Sequence, residues 1–365
     1  MRRTGWETMF QDTRRDILVA LTELPNCRTN QPMPLGIQGE EVIYSLARDE
    51  RKLASMMVAL DRLLDQCGET VLRTDVCLRR WLRSRFPDRP YKAPFELVAK
   101  PSSEKVYRKE LKRFICFWLR LSRLLPTTMR AITGRGLNRH QFRALRELWV
   151  DGVWQSEEPA DMDRTDNQDG GQSMNDHESG DDGGEEEEND DDDYGDEEDE
   201  GEDESECEES DGHDPAADVL LRFCYFAIAE DVEGGLASST MLVYFSAVRG
   251  LSTPNGNEYL QPHRFTPVLA RLIYCSRLVF LEAVLPHFSR IYGGIARPPR
   301  HGLLRRLNAA RREYMCDGTL SPMGEFLSLL SYGNALRRRR SAPRTGSKPE
   351  YLGCQSRSRI FGSPR

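Results

Sequence analysis

A chain of 365 residues, 38% apolar and 8% aromatic, can bury one or two modest cores. Its formal net charge of -8 conceals two opposed parts: Glu157 to Asp214 holds 31 of the 59 acidic residues and one of the 51 basic ones, Arg164, leaving 28 acidic against 50 basic (+22) elsewhere. The foldable part is therefore strongly basic, which favours polyanionic partners bound in a salt-sensitive way and excludes an acidic globular surface as the basis of function.

In chain order, the pattern predicts a mostly α fold whose helical regions are interrupted by a long acidic insert. A short helix is expected over 8–24, then a Pro/Asn-rich break over 25–34. Residues 40–66 read as a long helix, because Ile43, Leu46, Leu53, Met57, Leu60 and Leu64 mostly recur at three and four, and Gly68 supplies a stop. A second helix over 71–85 turns Leu72, Val76, Leu78, Trp81 and Leu82 inward, and Pro87, Pro90 and Pro94 mark a linker after it. The clearest helix spans 104–125, with Ser103 as its cap. At roughly 100° per residue, Tyr107, Leu111, Phe114, Trp118, Leu121 and Leu125 gather on one face, while Lys105, Lys109, Lys112, Arg120 and Arg123 lie almost opposite. One side is expected to be core and the other a basic ridge. A shorter helix over 138–150 carries Phe142, Leu145, Leu148 and Trp149.

From 157 to about 214 the chain has essentially no apolar content, so it cannot bury enough surface to offset its ordering entropy. Disorder is expected there, as an extended charged linker. Helical periodicity returns over 217–232, 239–251, 266–285, 303–314 and 322–336, with Gly, Pro and Asn breaks between and no alternating strands. From Arg337 onward the composition is that of a basic tail. These readings divide the chain into an N-terminal helical region (1–90), a basic helical segment (91–155), the acidic tract (156–214), a helical domain (215–336) and the tail (337–365).

No catalytic, cofactor or metal motif stands out, and the chain is not expected to be an enzyme. Gly346-Ser347-Lys348 lacks the glycine spacing and strand-to-helix setting of a phosphate-binding loop. His140 with Arg143 and His287 with Arg290 have the H-x-x-R spacing a tyrosine recombinase would use, followed by Tyr292, Tyr314 and Tyr332, but no first arginine accompanies them. His287 reads instead as a helix-end residue favoured by the C-terminal dipole. Nine scattered cysteines form no C-x-x-C pair and no zinc-finger spacing; Cys116, Cys224 and Cys275 read as small buried hydrophobes in a reducing compartment. The first residues, Met1 to Trp6, lack a signal peptide's apolar stretch. The most apolar window, 269–285, contains Arg271, Arg277 and Glu282 and so reads as a buried helix. An intracellular, soluble protein without membrane spans is expected.

The acidic carboxylates lack the glycine and spacing of an EF-hand. Their roles are electrostatic: to compete with nucleic acid for basic surfaces, to contact basic partners such as histones, or to serve as a solvated spacer. Ser179 and Ser205 each precede an acidic residue at +3 and are candidate sites of acid-directed phosphorylation. Arg337, Arg338, Arg339 and Arg340 have the make-up of a nuclear-import signal or phosphate-binding tail, or of a solvated terminus. Arg305 and Arg306, with Arg311 and Arg312, either extend the basic surface or simply face solvent.

Four stretches carry a family resemblance. They are Tyr107-Arg108-Lys109-Glu110-Leu111-Lys112-Arg113-Phe114-Ile115-Cys116-Phe117-Trp118, the run from Phe223 through Ala229, the run from Ser239 through Leu251, and the run from Gly318 through Gly333. Together they resemble the region upstream of the helicase core in large fungal proteins, including telomere-linked RecQ-type helicases, over about residues 90–336. That region has no well-defined activity of its own, so the resemblance implies an accessory role, associated with DNA or chromatin proteins in the nucleus. The chain lacks every helicase motif and departs from that pattern after Leu336, so a truncated gene product without selected function is a further reading. Separately, the stretch from Ser238 to Leu251 is similar to a helix in the DNA-gripping core-binding domain of tyrosine recombinases. The expected phosphate contacts are Lys105, Lys109, Lys112, Arg120, Arg123, Arg305, Arg306 and the arginines 337–340. The alternative is a protein-interaction scaffold that docks through the 40–66 helix and the acidic tract.

Overall fold

Where apolar residues recur at three and four over several turns the chain coils, and eleven α-helices supply nearly all the regular structure among the described residues. The computed structural model describes residues 14–26, 31–134, 136–155, 214–232, 238–249, 260, 262–286 and 302–341. The disorder expected of the acidic tract, Ser179, Ser205, the His287–Arg290 pair and the end of the tail lie outside them.

The main departure from the sequence reading comes before residue 46. After α1 (Arg15–Leu21) comes a hairpin, β1 (Met33–Gln38) antiparallel to β2 (Glu41–Ser45), and β2 takes the place of the first residues of the helix expected over 40–66. A two-residue turn at Gly39–Glu40, with Gly39 at φ +66, joins them. A bulge between Pro34 and Gly36 accompanies the burial of Leu35. Gly36 is needed there: its φ is +136, and a Cβ would sit 2.6 Å from Ile17 Cγ1 on α1. The β-branched pair Val42-Ile43 behind that turn prevails over the helical spacing of Ile43 and Leu46.

Helix α2 (Ala47–Arg73) runs straight through Gly68, because Thr70 and Val71 beyond it are buried. A glycine ends a helix where the chain takes a left-handed residue, and Gly68 is not one. The next helix, α3 (Val76–Arg83), therefore starts later than expected, with the Asp75 carboxylate accepting from Cys77 N at 2.6 Å. Its proline-rich sequel is irregular but anchored: Tyr91 N donates to Arg80 O and Phe95 N to Arg79 O, each at 3.1 Å, and Phe95 is buried. Helix α4 (Pro101–Arg123) begins at a first-turn proline with Lys100 as its cap residue, rather than at Ser103. A short helix that the sequence reading did not contain, α5 (Pro126–Thr133), follows and ends on left-handed Gly134. Then α6 (Arg139–Val150) opens on a capping box between Asn138 and Gln141.

Beyond the tract come α7 (Pro215–Ile228), α8 (Thr240–Tyr244), α9 (Pro262–Val284), α10 (Leu303–Tyr314) and α11 (Pro322–Ser341). Two differ from expectation. Helix α8 widens into a π turn at Phe245–Arg249, and α11 continues to Ser341, so residues 337–340 lie on a helix rather than in a tail. Helix α9 is central, packed by α2, α4, α7 and α11. Segments from both sides of the tract share one core. Trp118 Nε1 donates to Thr240 O at 3.0 Å, the Tyr244 hydroxyl donates to Glu110 at 2.8 Å, and Phe114 stacks on Phe223 at 6.3 Å. The described parts of the three helical regions read from the sequence are thus one unit, drawn from both sides of the acidic tract. Cys116, Cys224 and Cys275 are buried in it as free thiols, joined by Cys67 and Cys316. Burial pushes the thiols of Cys116 and Cys224 up to about 12, where they are inert.

Candidate nucleic-acid interface

Helix α4 carries five of the expected phosphate contacts, and its cations follow two fates. Along the seam with α2 they meet carboxylates in antiparallel order: Arg108 with Asp65 at 2.6 Å, Lys112 with Asp61 at 2.5 Å, Arg120 with Glu50 at 2.7 Å and Arg123 with Asp49 at 3.2 Å. Arg120 is 1% exposed, and Arg123 also lies 5.2 Å from the Trp149 ring. These groups hold two helices together and are electrically balanced. The opposite side of α4 is not a free ridge, because Glu110, Leu111 and all residues from Phe114 to Leu121 are buried. Lys105 and Lys109, one turn apart near the start of the helix, remain exposed.

A second basic surface forms where the sequence reading placed a helix (71–85), a linker after it, and the arginines of the 303–314 helix. Between Arg79 and Lys92 stand Arg79, Arg80, Arg83, Arg85, Arg89 and Lys92, against the single acid Asp88. Helix α10 packs on α3 and brings Arg305, Arg306, Arg311 and Arg312 to the same region. Arg305 and Arg312, seven residues apart, share a helical face, and Arg80, Arg89, Lys92, Arg305, Arg306 and Arg312 are all exposed.

The scaffold under this face is made of arginines held by carbonyls and rings rather than by carboxylates. Arg311 is 0% exposed and donates to the carbonyls of Ser84 (3.1 Å), Phe86 (2.8 Å) and Pro87 (2.9 Å). Arg83 donates to Pro94 O at 3.1 Å, and Arg277 of α9 donates to Arg83 O at 2.8 Å. Burial, with Arg83 and Arg311 nearby, pushes the Arg277 guanidinium down to about 10, still charged at neutral pH. Aromatic rings interleave with these cations: Tyr91 lies 4.8 Å from the Arg83 guanidinium, and Phe86 lies 4.0 Å from Arg89 and 4.9 Å from Arg85. Among the described residues the one ion pair of the outer layer, Arg312 with Asp88 at 3.3 Å, is solvent-exposed on both sides and worth little. Among the described residues, positive charge is therefore largely uncompensated here, in contrast to the α2–α4 seam.

Other candidates resolve differently. A cavity of 470 Å³ bordered by Trp118, His140, Gln141, Glu230 and Asp231 contains a buried carboxyl, but Glu230 spends its oxygens on structure. It accepts from Gln141 Nε2 and Thr240 N at 2.7 Å each and from the Thr240 hydroxyl at 2.5 Å, tying α7, α6 and α8 together. Burial pushes this carboxyl up to about 7. A raised carboxyl stabilises the fold below its unfolded pKa, and that contribution is lost as pH rises from about 4.5 through about 7. The urea midpoint is expected to fall from pH 5 to pH 8 by the equivalent of up to about 3 kcal/mol, and Glu230→Gln should flatten that slope. An unchanged slope in the variant would remove Glu230 as its source.

Arg143 of the first H-x-x-R pair is bound to Glu147 at 2.7 Å on an exposed face, and the Tyr314 hydroxyl donates to Glu313 at 2.7 Å. Among the described residues no group of three or more His, Cys, Asp or Glu could hold a metal ion, and no helix is long and apolar enough to cross a membrane. The side chains of residues 337–340 lie outside the described set.

A scan against protein-family models and searches of curated proteins and of solved structures found no match. Two sequence signals bear on the interface. Asp61 and Asp65 are four apart, like Arg108 and Lys112, which marks a cross-helix ion-pair ladder. The local charge count from 79 to 92 marks the basic face.

Proposed function

We propose that the chain is a non-catalytic, nucleic-acid-binding helical module that contacts phosphates through the face built by α3, residues 84–92 and α10. One observation carries this reading: two arginine-rich segments more than two hundred residues apart in sequence converge on one face without the carboxylates that neutralise α4. A folded protein keeps such unbalanced charge at a cost in self-repulsion, and binding a polyanion recovers it through counterion release. An accessory, chromatin-associated role next to a RecQ-type helicase agrees with the resemblance noted in the sequence.

The test is fluorescence anisotropy of the full chain with labelled DNA over a salt series, comparing wild type with a variant carrying Arg80→Gln, Arg89→Gln, Arg305→Gln and Arg306→Gln. Wild-type affinity should fall log-linearly with salt. The variant should bind about a hundred-fold more weakly or worse near 100 mM salt, with its salt slope reduced by roughly one per lost phosphate contact. A folded variant with wild-type affinity and slope would place the interface elsewhere, with Lys105 and Lys109 the next residues to neutralise.

A second reading, a protein-docking scaffold, is favoured by the outer side of the hairpin, where Ile37 and Val42 are each 45% exposed and Tyr44 is 50% exposed. Docking there would be insensitive to salt.

A further inference from the structure

The basic face presents the rings of Phe86 and Tyr91 differently, and that difference selects among nucleic acids. Phe86 is half-buried, with Arg85 and Arg89 both in ring contact, so it is closed off. Tyr91 is 45% exposed. Its backbone is pinned by the hydrogen bond to Arg80 O at 3.1 Å, and one side of its ring is held by Arg83, whose own Nη1 is fixed on Pro94 O at 3.1 Å. Exposed Arg89 and Lys92 neighbour it in sequence, and the exposed Arg80 is brought beside it by that backbone hydrogen bond. A rigidly presented flat ring among exposed cations that no carboxylate among the described residues pairs is the arrangement that takes a base by stacking while the cations follow the backbone. In a duplex the base faces are already occupied by their neighbours, so such a ring gains nothing there beyond contact with helix ends.

Resting on the nucleic-acid reading above, we infer that this face takes an unpaired polynucleotide strand, with Tyr91 as a stacking platform for one base. A stacking ring and backbone-following cations carry no group dedicated to a 2′ hydroxyl, so unpaired DNA and unpaired RNA share the chemistry.

The experiment measures anisotropy of the full chain with labelled oligothymidylate, oligouridylate and a mixed-sequence duplex, each of about twenty nucleotides per strand. The quantity read is the ratio of single-strand to duplex affinity. Wild type should prefer the single strands, and Tyr91→Ala should lower the ratio by about five- to a hundred-fold. Tyr91→Trp should keep it, and Tyr44→Ala, which removes an equally exposed ring from the hairpin, should leave it at the wild-type value. Similar loss on the two oligonucleotides supports shared recognition of unpaired strands, and loss on one of them assigns the source. If wild type binds single strand and duplex alike and Tyr91→Ala leaves the ratio unchanged, the platform is overturned while the basic face stands. If wild type binds no nucleic acid at low salt, both readings fall.

Discussion

Replacing Arg311 with Met is expected to lower the unfolding free energy by about 3–5 kcal/mol and to loosen residues 84–92. The side chain is fully buried and has no carboxylate partner. Its guanidinium instead gathers the carbonyls of Ser84, Phe86 and Pro87, accepts no charge in return, and packs 5.1 Å from the Trp81 ring. It also donates to Asn308 at 3.0 Å and to the Cys316 sulfur at 3.1 Å. Methionine fills much of the volume but takes the donor from Ser84 O and leaves Phe86 O and Pro87 O with only the Ser84 hydroxyl (3.4 Å) and Arg312 Nε (3.2 Å), a lost donor costing about 1–3 kcal/mol where water cannot replace it. Lysine fails too, since one ammonium cannot span the fork that a guanidinium spans. Urea denaturation gives the energy, and limited tryptic cleavage after Arg85 and Lys92 reports the loosening. A midpoint within about 1 kcal/mol of wild type would mean that the segment is held by other contacts.

Arg120→Met is expected to cost a similar 3–5 kcal/mol, for a different reason. The side chains of Arg120 and Glu50 are 0% and 5% exposed, and they meet through two parallel bonds of 2.8 and 2.7 Å. Arg120 also donates to the carbonyls of Leu21 (2.9 Å) and Glu23 (2.5 Å), closing the end of α1. Removing the arginine strands a carboxylate in the interior. The double variant Arg120→Met with Glu50→Leu should recover a large part of the loss, because no charge is then left unpaired. The cycle distinguishes a true pair from two separate contributions: additive losses would show that the backbone carbonyls, not Glu50, are the partners that matter.

The two arginines illustrate how far local pattern reaches. The apolar period of α4 placed Leu111, Phe114, Trp118 and Leu121 in the core correctly. The same reasoning put Arg120 on the surface, because a helix wheel assumes one wet side. Helix α4 has almost none between Phe114 and Leu121, being covered by α1, α2, α6, α8 and α9. Charge identity was legible, but charge fate was not, since pairing depends on which helix arrives opposite. The hairpin was misread for a related reason. Ile43 and Leu46 fit a helical spacing, and the Gly39 turn and the close approach of Gly36 to Ile17 join the β-branched Val42-Ile43 pair in favouring the extended form.

By itself the sequence determined the helical class, most of the helix positions after residue 46, the buried cysteines and the concentration of positive charge outside the acidic tract. These are properties of single segments, set by apolar spacing, breakers and composition. Only the tertiary structure decided that the segments flanking the tract share one core around α9, that the α4 cations are mostly balanced by α2, and that the 79–92 and α10 arginines form one uncompensated face. Those outcomes depend on contacts between residues far apart in the chain, where burial and the identity of the facing group, rather than local period, set whether a charge is neutralised or left to attract a partner.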